Sequence, residues 1–307
     1  MYVQHKKEDC CGCSACMTIC PAKCITMKRD EEGFLYPEID ETKCLHCGMC
    51  QKVCDFNKIH DWDAMPQPKA YAAKQKSDLE RAKSQSGGMF AALSDVVLEM
   101  GGVVYGAGYD EGWNVMHKRA ETKEERDEMR GSKYVQSDMR DTFRRVLEDL
   151  SKGRTVLFSG THCQCAGLKS LAEMRHARTE KLFLVDIVCH GVPSPKVYQA
   201  YMEFMKKKHK GEIERFNFRN KGKFGWHSHV ESAIIKGKEY DTELYVDLFY
   251  GHNALRSSCH QCPYKHMVHV TDITVSDFWG IEKWAPDFDD NKGVSLVLVN
   301  TSKGNDL

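Results

Sequence analysis

Eight cysteines near the start of the chain stand at a spacing that suits iron–sulfur chemistry. The first run is Cys10, Cys13, Cys16 and Cys20, followed by Pro21, and the second run is Cys44, Cys47, Cys50 and Cys54. Both runs have the form C-x2-C-x2-C-x3-C, which is typical of ferredoxins that carry two 4Fe-4S clusters. In such proteins three thiolates of a run ligate one cluster, and the fourth thiolate ligates the other.

This crossed ligation predicts two ligand sets. The first cluster takes Cys10, Cys13, Cys16 and Cys54, and the second cluster takes Cys44, Cys47, Cys50 and Cys20. Zinc is the alternative, but a structural zinc site closes with four ligands and does not need a triplet of the form C-x2-C-x2-C. Asp55 stands after the second run, where proline is usual, and this departure concerns the turn rather than the ligands. Cys11 and Cys24 lie outside the runs and are expected to be small buried or spare thiols.

The elements that must hold these cysteines form a small domain over residues 1–60. Ile25–Lys28 and Phe34–Ile39 flank the turn sequence Asp30-Glu31-Glu32-Gly33, which predicts a β-hairpin. Residues 61–69 contain Pro66 and Pro68 and are predicted to form a linker.

Residues 70–307 are predicted to form a larger domain in which strands and helices alternate. The predicted strands are Ala70–Ala73, Val103–Tyr105, Thr155–Phe158, Leu182–Val188, Ile213–Phe218, His229–Ile235, Asp272–Val275 and Val294–Val299. The predicted helices are Gly88–Glu99, Asp138–Leu150, a segment that ends at Leu171, and Pro195–Lys208. This order favours an α/β or α+β fold class, with a mixed sheet in the larger domain.

Composition narrows the class of protein further. The chain has 307 residues, of which 41% are hydrophobic and 29% charged, and its 44 basic side chains equal its 44 acidic ones, so no nucleic-acid footprint is indicated. The N-terminal segment lacks the apolar core of a secretory signal, and no apolar run has the length of a membrane span. We therefore expect a soluble, cytoplasmic protein, whose fifteen cysteines serve purposes other than disulfides.

Two further features of the larger domain could bind cofactors. Glycine-rich loops follow or precede the predicted elements at Ser86–Gly88, Gly131–Tyr134, Ser159–Thr161 and His190–Gly191, and such loops allow close approach of a phosphate. Four cysteines also stand in loops, two of them after strands: Cys163, Cys189, Cys259 and Cys262. Strand-end loops at one edge of a sheet can converge, so these thiols are either a third cluster site or isolated core residues. Cys165 is expected to be a packing residue.

Six segments of the larger domain carry a family resemblance. They are Ser86-Gly87-Gly88, Gly131-Ser132-Lys133-Tyr134-Val135, Phe158–Gln164, Cys189-His190-Gly191-Val192-Pro193, Cys259–Cys262 and Ser276-Asp277-Phe278-Trp279-Gly280. In this order they resemble the family of coenzyme F420 hydrogenase/dehydrogenase beta subunits over about residues 70 to 300. Members of that family often carry an N-terminal two-cluster ferredoxin domain.

The resemblance implies a larger domain that binds FAD and one further 4Fe-4S cluster. The implied cluster ligands are Cys163, Cys189, Cys259 and Cys262. The implied flavin-binding residues are Ser86, Gly87, Gly88, Gly131, Ser132, Lys133, Tyr134, Ser159, Gly160 and Thr161, with Asp277 and Trp279 near the flavin or the cluster. His162 stands where the family commonly has proline, and we give it no catalytic role. The chain also ends sooner after Val299 than family members usually do, so it is either a short member or a truncated one.

These expectations combine into an iron–sulfur flavin-dependent oxidoreductase. Electrons would pass between a redox partner protein or ferredoxin and FAD, where coenzyme F420 or another small hydride carrier reacts. The alternative is a non-catalytic electron-transfer subunit that feeds a partner enzyme, and a third interpretation is a ferredoxin fused to a domain without flavin. The sequence identifies no catalytic side chain and no residue specific for the deazaflavin.

Overall fold

The computed structural model describes residues 6–307. Residues 1–5, which belong to the predicted first domain and to the N-terminal segment considered as a secretory signal, lie outside the described part. Among the described residues, no helix combines the length and apolar composition needed to cross a lipid bilayer.

The cysteine-rich segment folds as an internally repeated unit. Its elements are helix α1 (Ala15–Ile19), strands β1 (Ile25–Arg29) and β2 (Leu35–Ile39), helix α2 (Met49–Lys52) and a 3-10 turn at Asp55–Asn57. Each helix begins after a residue in the left-handed conformation, Ser14 (φ 70°) before α1 and Gly48 (φ 72°) before α2. The repeated cysteine spacing is therefore matched by repeated local geometry.

The predicted hairpin of this segment is confirmed. Strands β1 and β2 pair antiparallel, from Ile25 opposite Ile39 to Arg29 opposite Leu35. The Asp30 carboxylate accepts hydrogen bonds from the backbone N–H groups of Glu32 and Phe34, at 3.0 and 2.9 Å, and so closes the turn.

The rest of the chain contains ten strands and nine helices among the described residues. The strands are β3 (Lys69–Ala73), β4 (Val103–Tyr109), β5 (Val115–Ala120), β6 (Val156–Thr161), β7 (Leu182–Ile187), β8 (Ile213–Asn217), β9 (Glu231–Ile235), β10 (Lys238–Thr242), β11 (Ile273–Asp277) and β12 (Ser295–Val299). The helices are α3 (Asp78–Ala82), α4 (Met89–Glu99), α5 (Lys123–Asp127), α6 (Thr142–Ser151), α7 (His162–Met174), α8 (Pro195–His209), α9 (Lys221–Phe224), α10 (Leu244–Tyr250) and α11 (Ser302–Asp306).

A seven-stranded mixed sheet organises this larger part, in the order β3-β12-β11-β7-β6-β4-β5. The four central strands, β4, β6, β7 and β11, run parallel, whereas β5, β12 and β3 pair antiparallel with their neighbours. A separate antiparallel sheet has the order β10-β9-β8. The expected mixed sheet and the expected small N-terminal unit are both confirmed.

The core continues from the cysteine-rich segment into the large sheet. One buried cluster contains Ile19 and Val53 from the first segment together with Phe143, Phe158 and Leu168 from the larger part. Helix α7 lies between the two, because its two faces contact both the sheet and the turn at Asp55–Asn57. The parallel strands β6, β7 and β11 end at Thr161, Ile187 and Asp277, so the segments that follow them emerge at one edge of the sheet.

Candidate functional site

The four thiols assigned to the first cluster lie together. Burial, together with the neighbouring Cys10 thiol, raises the pKa of Cys54 to about 11. Burial likewise raises the pKa of Cys16, with additional contributions from Cys10 and Cys54. A hydrogen bond with Cys11 lowers the pKa of Cys13, but burial and the neighbouring thiols of Cys54 and Cys16 raise it above its ordinary value. The last cysteine of the second run therefore joins three thiols of the first run, which is the arrangement that crossed ligation requires.

The four thiols assigned to the second cluster surround a cavity. Its volume is about 20 Å³, and its lining includes Cys20, Cys44, Cys47 and Cys50. Cys24 also lines it, with its sulfur 3.4 Å from that of Cys20. Cys47 is exposed, and the adjacent Leu45 is 66% exposed. This cavity therefore opens toward the protein surface.

The four loop cysteines of the larger part also converge. Cys163 lies in the first turn of α7, directly after β6, and Cys189 lies just beyond β7. Cys189 is exposed at the surface, yet desolvation by the surrounding protein raises its pKa, and the thiols of Cys163, Cys259 and Cys262 contribute to the rise. Burial also raises the pKa of Cys259 to about 11, again with contributions from Cys163 and Cys262. Three separate segments thus bring four thiols to the carboxyl edge of the sheet.

The first and third groups of thiols are neighbours. The Cys11 thiol, 7% exposed, lies between Cys13 of the first group and Cys163 of the third, since its hydrogen-bond contacts reach both sulfurs. Helix α7 approaches the first group closely at Gly167, where an added Cβ would lie 2.7 Å from the Cys13 sulfur. On its other side the first group neighbours the second, since the Cys50 thiol contributes to the raised pKa of Cys16. The three groups therefore lie in the order second, first, third.

These thiols fit iron–sulfur clusters for a chemical reason. Burial raises the pKa of thiols in the first and third groups, namely Cys10, Cys16, Cys54, Cys259 and Cys262, so a thiolate is disfavoured there unless a cation compensates its charge. Iron supplies that charge, and metal binding releases the thiol protons. Three sets of four sulfurs, which no histidine of residues 6–307 completes, match the usual four-cysteine ligation of 4Fe-4S clusters.

Arg256 reaches into the space between the first and third groups. Its guanidinium donates hydrogen bonds to the carbonyl oxygens of Cys10 and Leu35, at 2.7 and 3.0 Å, and to Gln136 Oε1 at 2.9 Å. Burial raises the pKa of the Cys10 thiol, and the Arg256 cation opposes that rise. A cation is therefore built in next to a predicted cluster ligand.

His162, His269 and Asp186 form a buried trio behind Cys163. His269 Nδ1 lies 2.6 Å from Asp186 Oδ2, and its Nε2 donates to the carbonyl of His266 at 2.9 Å. The Val270 N–H donates to His162 Nε2 at 3.2 Å, which leaves Nδ1 as the protonated nitrogen of a neutral ring. Burial lowers the pKa of His162 to about 2. His162 Nδ1 lies 3.7 Å from Asp186 Oδ2 and has no hydrogen-bond partner among residues 6–307, and one ligand atom from each member of the trio lies within 4.8 Å of the other two.

One of the glycine-rich loops borders an aromatic cluster with open space beside it. In the loop Gly131–Tyr134, a Cβ added at Gly131 would meet no atom within 4 Å. The Tyr134 ring stacks on Phe249, with centroids 4.7 Å apart. Burial raises the pKa of Tyr134, and the nearby Arg219 cation partly offsets the rise. Arg219 also pairs with Asp277 at 2.6 Å and lies 5.4 Å from the Trp279 ring.

Lys133 and His117 connect this loop to the end of β6. Lys133 Nζ donates to the carbonyls of Met129 and Arg130, at 2.7 and 2.8 Å, and burial lowers its pKa to about 7. His117 is 3% exposed, and burial, with the Lys133 charge as a smaller cause, lowers its pKa to about 4. Its Nε2 donates to the carbonyl of Ser159 at 3.0 Å. The loops Gly131–Tyr134 and Ser159–Thr161 are thus adjacent.

Two of the predicted loops use their polar groups within the protein. Ser86 Oγ donates to the Val294 carbonyl at 2.8 Å, and a Cβ at Gly87 would lie 2.3 Å from the Ala73 carbonyl oxygen. Thr161 forms a capping box with Gln164 at the start of α7. The small residues at Gly87 and Thr161 are explained by these protein contacts, whereas Tyr134, Asp277 and Trp279 border the aromatic cluster.

Three residues of the site carry no motif in the sequence: Arg219, His117 and Arg256. Their contacts join segments that lie far apart in the chain. A buried arginine or histidine has no recognisable spacing, so the only available indication is a charged residue inside or next to a predicted strand, as with Arg219 after Phe218.

Comparison with known families gives two matches. Residues 153–307 match the model of the C-terminal part of the coenzyme F420 hydrogenase/dehydrogenase beta subunit. Residues 9–58 match the model of the 4Fe-4S dicluster domain.

Individual relatives agree with this division of the chain. NADH-quinone oxidoreductase subunit I 2 from Geobacter metallireducens is 44% identical over 64 residues, which are 19% of this chain and 49%, about half, of that relative. The F subunit of F(420)H(2) dehydrogenase from Methanosarcina mazei is 23% identical over 300 residues, which cover 92% of this chain and 78% of the relative. A chain of the xenon-derivatised F420-reducing [NiFe] hydrogenase complex from Methanosarcina barkeri has a TM-score of 0.53 at 19% identity, covering 81% of this chain and 80% of that one, which supports the fold.

Proposed function

Because this chain belongs to the family of coenzyme F420 hydrogenase/dehydrogenase beta subunits and carries a 4Fe-4S dicluster segment, we propose that it is an iron–sulfur flavoprotein oxidoreductase. It passes electrons between a ferredoxin-type carrier and a substrate that reacts at FAD. The observation that carries this proposal is the convergence of Cys163, Cys189, Cys259 and Cys262 beside the first group of thiols. A carrier with two clusters alone would not need this third set.

The proposed ligands follow the three groups of thiols. The first cluster is held by Cys10, Cys13, Cys16 and Cys54, the second by Cys20, Cys44, Cys47 and Cys50, and the third by Cys163, Cys189, Cys259 and Cys262. The surface position of Cys47 supports the second cluster as the point of exchange with an external carrier. The third set, at the edge of the large sheet, lies on the side of the flavin loops, since Thr161 Oγ1 is 3.2 Å from the Cys163 sulfur.

The proposed flavin site uses the aromatic cluster and its cations. Tyr134, Asp277 and Trp279 would hold FAD together with Ser132 and Lys133, and Arg219 would orient Asp277 through their 2.6 Å ion pair. The loops at Ser86–Gly88 and Ser159–Thr161 would shape the walls of this site. FAD, when bound, exchanges single electrons with clusters and a hydride with a substrate. The open space at Gly131 allows a ligand to approach the backbone.

The substrate proposed for the flavin is coenzyme F420 or another small hydride carrier. Both the name of the family and that of the Methanosarcina mazei relative contain this coenzyme. A second function is that of a non-catalytic electron-transfer subunit that feeds a partner enzyme. It is favoured by the exposed Leu45 and Cys47 beside the second group of thiols, and by the structural neighbour, which belongs to a complex.

The first test is anaerobic purification followed by iron, sulfide and flavin quantification in one sample. About twelve irons and one FAD per chain support the proposal. About eight irons without flavin would overturn the third cluster and the flavin site together.

The second test separates the enzyme from the electron-transfer subunit. Reduced coenzyme F420 is mixed with the purified chain and an artificial one-electron acceptor, and NADH is used in a parallel assay. Acceptor reduction by the isolated chain supports the enzyme. If the flavin is present but no hydride donor reduces it without an added partner protein, the non-catalytic role is favoured instead.

A further inference from the structure

Arg256 is a buried cation that forms no ion pair with a carboxylate within residues 6–307. The residue is 1% exposed, and its guanidinium contacts two backbone carbonyls, the Gln136 amide, the Cys10 thiol, and the rings of Phe34 and Tyr36 at 5.3 and 4.1 Å. Other buried arginines of the protein differ in this respect. Arg126, with a side chain 1% exposed, pairs with Asp95 at 2.8 Å and Asp127 at 2.9 Å.

An unpaired buried charge is costly, and proteins normally compensate it. The groups able to supply negative charge near Arg256 are the predicted cluster thiolates. On one side its Nε donates to the carbonyl of Cys10, and a Cβ at Gly12 would lie 3.0 Å from its Nη1. On the other side the Cys259 N–H donates to the Arg256 carbonyl at 2.8 Å. The side chain thus extends from the third group of thiols to the first.

We propose that Arg256 is the shared counter-ion of the first and third clusters, and that its charge raises the reduction potential of both. This inference rests on the cluster assignments of the proposed function. A nearby cation stabilises the reduced, more negative cluster over the oxidised one, and net charge and burial are among the factors that set such potentials. The effect is larger for the first cluster, because the guanidinium bonds directly to the Cys10 peptide.

A purely mechanical role makes a different prediction. Arg256 also clamps the N-terminal segment onto the larger part, since it holds Cys10 and Leu35, and Gln136 in turn donates to the carbonyl of Cys11 at 2.9 Å. A clamp would be weakened by any change that breaks these bonds. A counter-ion would be affected only when the charge is removed.

Four variants separate the two roles. Arg256→Gln removes the charge, Arg256→Lys keeps it but loses the fork of hydrogen bonds, and Gln136→Met breaks one anchor without changing charge. Arg29→Gln is the charge control, because Arg29 lies in the cysteine-rich segment that Arg256 contacts, but its side chain is 48% exposed and paired with Asp138. Each protein is purified anaerobically, its iron is quantified, and its clusters are titrated by EPR-monitored redox potentiometry at about pH 7.

Arg256→Gln should make reduction of the first cluster at least tenfold less favourable, which is a shift of about 59 mV to lower potential for a one-electron couple. In the other three variants, the equilibrium constant for reduction of the first cluster should stay within a few-fold of the wild-type value. A fully loaded Arg256→Gln protein with wild-type potentials overturns the inference. An equal fall in the reduction potential of the first cluster in Gln136→Met also overturns it, because the effect would then belong to the clamp.

If Arg256→Gln fails to bind iron, the reduction potentials of Arg256→Lys decide between the counter-ion and the clamp. Wild-type potentials in Arg256→Lys support the counter-ion, and a tenfold loss there overturns it. A wild-type chain that binds no clusters would instead overturn the proposed function itself, so the two failures are distinguishable.

Discussion

Replacing Gly167 with alanine should damage the first cluster although alanine is the better helix former. Gly167 lies inside α7, where exchange of glycine for alanine normally stabilises a helix by about 1 kcal/mol. Here the added Cβ would lie 2.7 Å from the Cys13 sulfur and 3.2 Å from the Cys13 Cβ. Carbon contacts are favourable only at about 3.5–4.0 Å, so either the helix or Cys13 must move.

The expected change in folding free energy decides which measurement to use. Overpacking a core by one methyl group typically costs about 1–3 kcal/mol, and the gain in helix propensity offsets about 1 kcal/mol of this. The net loss of folding free energy is therefore about 0–2 kcal/mol, too small for thermal stability to be decisive. The position of Cys13 is more sensitive, because a displaced sulfur no longer reaches its iron.

The assay is iron content together with the EPR spectrum of the reduced protein, compared with wild type. We expect Gly167→Ala to lose about four irons per chain and the signal of one cluster. Cys165→Ala is the matched control, since it alters a fully buried residue of the same helix without adding volume near Cys13. A Gly167→Ala protein with all its iron and an unchanged spectrum would refute the close approach of α7 to the first cluster.

Three further variants test other parts of the site. Cys262→Ser should release about four irons and keep the flavin, whereas Cys165→Ser keeps both; retained iron in Cys262→Ser would exclude that thiol as a ligand. Lys133→Met should lower the FAD recovered on purification because it removes the amine that anchors the flavin loop to the carbonyls of Met129 and Arg130, and unchanged flavin relative to Lys118→Met would contradict that role. Burial raises the pKa of Glu231 from 4.5 to about 7, so the folded protein holds a proton that the unfolded chain releases, and stability present below about pH 4.5 is lost as pH rises through 7. Glu231→Gln should remove this slope, worth about 3 kcal/mol, in denaturant unfolding at pH 5 and pH 8; a wild-type protein equally stable at both would refute the pKa.

The parts of the fold that the sequence predicts well are those specified by local patterns. The hairpin β1–β2 has its turn residues beside its strands, and the central strands β6 and β7 are short apolar runs followed by helices. Strand β5 is not predicted, because its sequence Val-Met-His-Lys-Arg-Ala places three basic or titratable residues in a row and therefore lacks the alternation of a strand, although its histidine is buried. Helix α10 is not predicted either, because it has only seven residues and its N-terminus is held by the carboxylate of Glu231, which is distant in the sequence.

The candidate site likewise has a part that local sequence patterns predict and a part that they do not. The spacing of the two cysteine runs is a local property, so the runs alone specify the first two predicted ligand sets. The convergence of Cys163 with Cys259 depends on strand order, which spacing does not contain. Arg219 and Arg256 act through contacts across 58 and 246 residues of chain, and no pattern in the sequence specifies those contacts.

The shared core has a consequence for how electrons can enter the molecule. Ile19 and Val53, both fully buried, pack in the same cluster as Phe158 of the large sheet. The hairpin turn is also seated on α8, where Ser194 donates to the Glu32 carbonyl and Lys196 Nζ to that of Glu31. The cluster-bearing segment therefore cannot swing on a tether to collect electrons and deliver them elsewhere. On the proposed route, diffusion of a carrier ends at the exposed Cys47, and the groups of thiols beyond it are held at spacings that are set when the chain folds.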